Sequence, residues 1–260
     1  MATQQPDIHF ISAYTRYSSW GSRVEAVLEY FQIPHTRQFV QLAEAKRVSP
    51  SGFVPLVLCR SLNDTPICDS LAICEFLAES NPSLPLWPRD RQLRALARTA
   101  AARMHSGFTT IRNTFCTNFL GRYTGDIPIS DAARSEIEEI LNLWDAARKG
   151  TKERLEALGE ADEGFLFGSF SIADAFFWPV LWRFRSYGFP METASADVLA
   201  WMAKMWSDSA FQRLAQGYYE QAKDPESRIA HYDDIFQGRG DIQYGQFPED
   251  WTFAGKSSGK

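Results

Sequence analysis

The sequence predicts an α/β domain followed by an all-helical one, and three observations carry that expectation. Strand-like and helix-like runs alternate over roughly the first eighty residues. Asn81-Pro82-Ser83-Leu84-Pro85-Leu86-Trp87-Pro88 then sets three prolines in eight residues, which no continuous helix tolerates. Beyond that linker the apolar residues recur at helical spacing. We therefore expect three segments: residues 1–86, residues 87–222, and an extension over 223–260 that packs back on the helical part.

Each element follows from its own pattern. Ile8-His9-Phe10-Ile11 reads as a short buried strand. Val24, Val27, Leu28 and Phe31 fall on one face of a helix running from about Ser22 to Gln32, and Ser22-Arg23-Val24-Glu25 has the pattern of a capping box. Thr36 to Gln41 reads as a second strand. Leu56 to Cys59 and Thr65 to Cys68, separated by the Asn63-Asp64 turn signal, read as a hairpin. Asp69-Ser70 opens a helix through Leu77, which completes a βαβ-ββα order with a mixed sheet. After the linker, Leu93, Leu96, Ala97, Ala100, Met104, Phe108, Ile111 and Phe115 trace one long helical stripe. Ile137, Ile140, Leu141 and Trp144 trace another, with residues 151–159 as a short polar helix or turn. Phe170 to Phe184 is apolar nearly all round and predicts a core helix, which Pro179 should kink or shorten at its start. Two further helices follow, from about Ala196 to Met205 and ending at Gln221. The extension carries Tyr232, Phe236, Tyr244, Phe247, Trp251 and Phe253, too many aromatic groups for a solvated tail, so it should cover the helical domain or the mouth of a cleft.

Composition narrows the function. An apolar fraction of 45% with 14% aromatic residues fits a well-packed globular chain. The formal charge of −5 and the lack of any Lys/Arg block argue against nucleic-acid binding. No apolar run reaches the length of a membrane span, and the N-terminal residues lack a signal-peptide core, so a cytoplasmic setting is the expectation. Cys59, Cys68, Cys74 and Cys116 form no metal-binding or redox spacing, and the four histidines are scattered, so we expect no metal.

The most informative stretch is Tyr17-Ser18-Ser19-Trp20-Gly21-Ser22-Arg23, which sets two adjacent hydroxyls where the first helix begins. A helix start presents unpaired N–H groups and a positive dipole end, so it favours an anion. No base stands beside these serines in the sequence, so they are suited to hold a thiolate rather than to attack as nucleophiles.

This chain resembles the glutathione transferase superfamily over about residues 7–220, in the order of four motifs. The Tyr17–Arg23 segment is similar to the active-site segment of serine-type (zeta- or theta-like) members. Ser49-Pro50-Ser51-Gly52-Phe53-Val54-Pro55 resembles the loop that ends in a cis-proline, Asp69-Ser70-Leu71-Ala72-Ile73 the segment that holds the γ-glutamyl group, and Phe170-Ser171-Ile172-Ala173-Asp174 the capping box of the core helix. The resemblance implies a thioredoxin-like N-terminal domain, a helical-bundle C-terminal domain, glutathione as co-substrate and a homodimer. It implies that Ser18, with Ser19 as the second candidate, donates to the glutathione sulfur. Val54 and Pro55 would meet the cysteinyl backbone, and Asp69 and Ser70 the γ-glutamyl end. Lys46 or Arg47 would meet the glycyl carboxylate, and Tyr14 and Tyr17 would pack or line the cleft, with a phenol donor to the sulfur as the alternative to the serines. Trp20 departs from the zeta pattern, which has cysteine there; that speaks against thiol–disulfide exchange and weakens the maleylacetoacetate isomerase reading.

The chemistry is within reach of these groups. Lowering a thiol from about 8.5 to mostly ionised at pH 7 takes about 2.7 kcal/mol. A hydrogen bond to a charged group contributes about 1.5–3 kcal/mol and a helix N-terminus about 0.3–2 kcal/mol. The second substrate, a small hydrophobic, aromatic or acidic electrophile, is expected against the helix after the linker, with Arg103, Met104, Phe108, Ile111 and Arg112 as candidates. Arg183 and Arg185, on the core helix, either pair with carboxylates or line the cleft. The expected activity is conjugation of glutathione to that electrophile. The alternatives are glutathione-dependent cis–trans isomerisation and non-catalytic ligand binding.

Overall fold

A computed structural model describes residues 5–254. The outermost parts of the first and third expected segments, residues 1–4 and 255–260, lie outside the described residues. The α/β half consists of β1 (Ile8–Ala13), α1 (Ser19–Tyr30), β2 (His35–Val40), the single turn α2 (Ala45–Val48), β3 (Leu56–Cys59), β4 (Thr65–Cys68) and α3 (Ser70–Ser80). Its sheet runs β2-β1-β3-β4, with β1 parallel to β2 and the other neighbours antiparallel. The period of two along β1 splits the core: Ile8 and Phe10 join the large cluster with α1 and α3, whereas Ile11 turns to the other face with Val40 and Leu56. This is the predicted thioredoxin-like order followed by a helical domain.

The helical half contains α4 (Arg91–Ser106), α5 (Thr109–Thr114), α6 (Asp131–Leu158), α7 (Ile172–Tyr187), α8 (Ala196–Ser207) and α9 (Ser209–Ala222). Nearly every side chain of α7 is buried, and α1 and α4 both pack against it, so α7 is the axis on which the two halves meet. Asp174, fully buried, accepts from the Ser171 N–H and hydroxyl, the Leu166 N–H and the Trp201 indole. Burial pushes its carboxyl up to about 6 even against those donors. The expected capping box is formed, and it also ties α7 to α8.

Several boundaries differ from the sequence reading, each for a physical reason. The first helix begins at Ser19, with Ser18 as its cap, because the Ser18 hydroxyl accepts from the Gly21 N–H at 3.1 Å. Ser22 and Glu25 do not form a capping box: the Ser22 hydroxyl donates to the Ser19 carbonyl, and Glu25 is buried inside the fold. The long stripe from Leu93 to Phe115 is two helices, since Gly107 ends α4 and Phe108 takes a left-handed conformation (φ 54°) before α5. Residues 151–158 continue α6 rather than forming a separate turn, because Arg148, Thr151 and Leu155 carry its buried stripe onward until Gly159 (φ 66°). Pro179 does not break α7, whose burial on all sides outweighs the missing N–H.

The sequence reading contained no strand after the linker, yet β5 (Gly121–Gly125) pairs antiparallel with β6 (Ile242–Gln246) of the extension. Between them runs the short α10 (Ala230–Asp233). Past β6, Phe247 and Trp251 join Phe119 and Trp206 around the Arg185 guanidinium, which lies 4.4 to 4.9 Å from all four ring centres and donates to the Phe119 carbonyl. The extension therefore lies along the helical half. Among the described residues no helix is long and apolar enough to cross a membrane.

Candidate active site

The Ser18–Ser19 pair sits where β1 hands the chain to α1. Gly21 is required there: a Cβ at that position would stand 2.0 Å from the Ser12 hydroxyl on β1, so only glycine lets the helix start press against the strand. The Ser18 oxygen is committed to Gly21 as acceptor, which leaves its own proton free, and Ser19 is the first helical residue beside it. Tyr17 is differently placed. Its hydroxyl is buried and donates to Asp233 of α10, and burial raises its pKa above the ordinary phenol range. The Tyr14 hydroxyl likewise donates to Asp224 at 3.1 Å.

A cleft of about 660 Å³ opens at this point between the two halves. The α/β side supplies Tyr17, Ser18, Ser19, Trp20, Lys46 and Val54, the helical side Arg112, Cys116 and Arg183, and the extension Ile229 and Tyr232. The Val54–Pro55 bond is cis, as the resemblance implied. The loop before it is shaped by Ser51, whose hydroxyl bonds to Ser49 and accepts from the Phe53 N–H. Lys46 faces the cleft, whereas Arg47 pairs with Glu44 at 2.7 Å. Asp69 caps α3 through the Leu71 and Ala72 N–H groups from a strained backbone (φ 79°), and neither it nor Ser70 is among the residues lining the cleft. The Ser70 hydroxyl is buried without a partner among the described residues. The Asp69 carboxylate faces His105 Nε2 of α4 at 3.2 Å. Burial lowers the His105 pKa, against the opposing charge of Asp69.

Of the five acceptor-site candidates from the sequence, the structure brings only Arg112 to the cleft. Met104, Phe108 and Ile111 are in the core, and Arg103 pairs with Glu139 on the outer face, because the apolar stripe turns inward against α7 and α6 and leaves Arg103 on the solvent side of α4. Arg183, left open between two roles, pairs with no carboxylate among the described residues and lines the cleft. A charged group midway along a helix that is apolar all round was the signal that marked it. Trp20 is sandwiched by two cations, Arg112 at 4.6 Å and Arg23 at 4.3 Å from its ring centre, with the His105 ring edge-on at 5.3 Å. Arg23 is fully buried; its Nε donates to the Phe176 carbonyl, its two terminal nitrogens have no partner among the described residues, and burial pushes its pKa far down. Tyr232 reaches the cleft as the aromatic extension led us to expect, whereas Ile229 and Cys116 were not anticipated, since nothing local in their sequence marks them. No group of His, Cys, Asp or Glu suited to a metal occurs among the described residues.

An α/β domain with a cis-proline loop, joined to a helical domain across a cleft that opens on a helix N-terminus, defines a class of two-domain thiol-binding proteins. The glutathione S-transferase N-terminal domain family matches residues 17–80 and the corresponding C-terminal domain family residues 127–211, together more than half of the chain. The chain belongs to the glutathione S-transferase superfamily. It is 31% identical over 107 residues to glutathione S-transferase 1 of Dianthus caryophyllus, covering 41% of this chain and 47% of that one. It is 30% identical over 118 residues to a probable maleylacetoacetate isomerase of Caenorhabditis elegans, covering 44% and 52%. The chain thus matches about half the length of these curated relatives. Among solved structures, a glutathione transferase homologue from Burkholderia with bound glutathione superposes with a TM-score of 0.60 at 22% identity, over 83% of this chain and all of that one. Ure2p in complex with glutathione gives 0.60 at 20% identity, over 81% and 99%. These likenesses establish the fold.

Proposed function

We propose that the chain binds glutathione in this cleft, ionises its thiol at the start of α1, and adds the thiolate to a small electrophile. Ser18 donates its free proton to the sulfur while the α1 dipole favours the negative charge. The thiol proton goes to solvent; the thiolate electron pair forms the carbon–sulfur bond as the electrophile's π bond breaks and takes up a proton from solvent, or as a leaving group departs with its bonding pair. Val54 offers backbone groups to the cysteinyl part, Lys46 meets the glycyl carboxylate, and the α3 start at Asp69 and Ser70 receives the γ-glutamyl end. The unpaired, buried Ser70 hydroxyl supports that last assignment. The observation that carries the proposal is the division of hydroxyls: Tyr17 is committed to Asp233, whereas Ser18 keeps a proton to give.

The test is a calorimetric glutathione titration of wild type, Ser18→Ala and Ser19→Ala, with thiolate absorbance followed against pH. A bound-thiol pKa depressed in wild type and restored by Ser18→Ala alone supports the mechanism. Binding with an unshifted pKa would point to ligand carriage, and no binding would leave only the fold. Similarity to a maleylacetoacetate isomerase favours a second reading, reversible addition that permits rotation about a double bond. Net consumption of glutathione separates the two. We further propose a cytoplasmic homodimer. Phe53, 77% exposed on the loop at the cleft edge, is an apolar side chain that a second copy would cover.

A further inference from the structure

We infer that the acceptor carries a carboxylate or equivalent oxyanion, and that Arg112 and Arg183 are the groups that select it; this rests on the glutathione reading of the same cleft. The cleft lining includes three cations, Lys46, Arg112 and Arg183, and no Asp or Glu. The carboxylates nearby are already engaged. Asp233 holds Tyr17 and Arg228, Glu136 accepts from the Thr110 and Ile111 N–H groups, and Asp69 caps α3.

The two arginines are held in place by backbone carbonyls, and each keeps an edge in reserve. Arg183 donates through Nε to the Phe115 carbonyl at 2.8 Å and through Nη1 to that of Pro179 at 3.2 Å. Arg112 spends Nη1 on the carbonyls of His105 and Gly107. Arg183 Nη2 and Arg112 Nε and Nη2 have no acceptor among the described residues, yet they are not sealed from the cleft. Burial pushes both guanidinium groups down, Arg183 to about 10, and both remain charged at neutral pH. Glu136 offsets part of the Arg112 charge, but guanidinium edges left without an acceptor in a partly dehydrated cleft are still stabilised by an anion that arrives with its own donor-accepting edge. Glutathione does not supply it: its glycyl carboxylate falls to Lys46, its glutamyl end to α3, and its sulfur to α1. The remaining anion belongs to the acceptor. Tyr232 lines the same cleft, and the Arg112 guanidinium is steadied there by the Trp20 ring beneath it.

The experiment compares 4-chloro-3-nitrobenzoate with its methyl ester, a pair that differs in the charge at one end. Calorimetry measures the binding of each to the full chain, alone and loaded with S-methylglutathione, whose blocked sulfur cannot react. A hydrogen-bonded charge pair predicts that the acid binds about tenfold or more tightly than the ester. Arg112→Gln should bring that ratio close to one, and Arg112→Lys should retain part of it; circular dichroism checks that both variants fold. Equal or weaker binding of the acid by wild type overturns the inference, as does an Arg112→Gln that weakens acid and ester alike. If the acid binds with this dependence but S-methylglutathione does not bind, the anion site stands and the glutathione reading fails.

Discussion

Tyr17→Phe is the substitution that separates the two hydroxyl candidates most sharply. It deletes a single oxygen whose hydrogen bond runs to the buried, negatively charged Asp233. A bond to a charged group contributes about 1.5–3 kcal/mol, and the Asp233 oxygen that loses Tyr17 has no equivalent replacement in the described hydrogen bonds. The other oxygen keeps Arg228 at 2.7 Å, but that arginine is largely exposed and screened, so it offsets little. The loss should therefore be about 2 kcal/mol, visible as a lowered urea midpoint with unchanged slope. The thiol pKa of bound glutathione should stay within roughly 0.3 of wild type, because a phenol already committed to a carboxylate has no proton to offer the sulfur. Thiolate absorbance against pH, run beside the urea titration, reads both quantities on the same preparation. A rise in thiol pKa of about one unit or more, with stability unaltered, would refute the reasoning and move the donor from Ser18 to Tyr17.

Other outcomes follow from the same geometry. Gly21→Ala drives a methyl into the Ser12 hydroxyl, so it should cost about 1–3 kcal/mol and disturb glutathione affinity through the α1 start, as unfolding and titration together would report. Asp174→Ala strands three or more buried donors and should destabilise by about 3 kcal/mol or more, enough to lower soluble yield. Burial raises Glu25 from 4.5 to about 7, so the folded chain holds its proton more tightly than the unfolded one. That stability is complete below about pH 4.5 and is lost as pH rises through 7; Glu25→Gln should remove this slope from urea titrations between pH 5 and 8. Truncation before Asp224 removes Ile229 and Tyr232 from the cleft and the partner strand of β5, and should lower thermal stability and weaken acceptor binding more than glutathione binding.

The legible parts of the fold were those written in local periodicity. The period of two in β1, the helical stripe of α1, the hairpin turn at Asn63-Asp64 and the proline-rich linker each depend on neighbours in sequence, and each was found. The strand β5 was not, because Gly121-Arg-Tyr-Thr-Gly125 holds one large apolar group between glycines, and its partner lies more than a hundred residues away. The Gly107 break was masked since Phe108, Ile111 and Phe115 remain buried on the far side of it. For the site, the cap geometry of Ser18 and the turn before Pro55 could be argued from residue type. That α4 gives the cleft no side chain could not, and that misplaced Arg103 and Met104. The aromatic density around Tyr232 marked the extension as a cover, but Ile229 reaches the cleft through long-range docking that leaves no imprint on its own neighbourhood.

The extension is fastened at both ends of its course. Arg16 and Gln221 join the Thr15–Arg16 corner to Ser227 and the end of α9, Asp224 and Asp233 hold Tyr14 and Tyr17, and β6 with the Arg185 cluster grips the helical half. Mechanically this is a tie-bar across a book spine: the two halves cannot swing apart without breaking buried polar bonds on one side or an aromatic clasp on the other. The span between the lining residues of the α/β side, such as Leu42 and Val54, and those of the helical side is thereby tied at one width, a dimension set by the extension and not by either half alone.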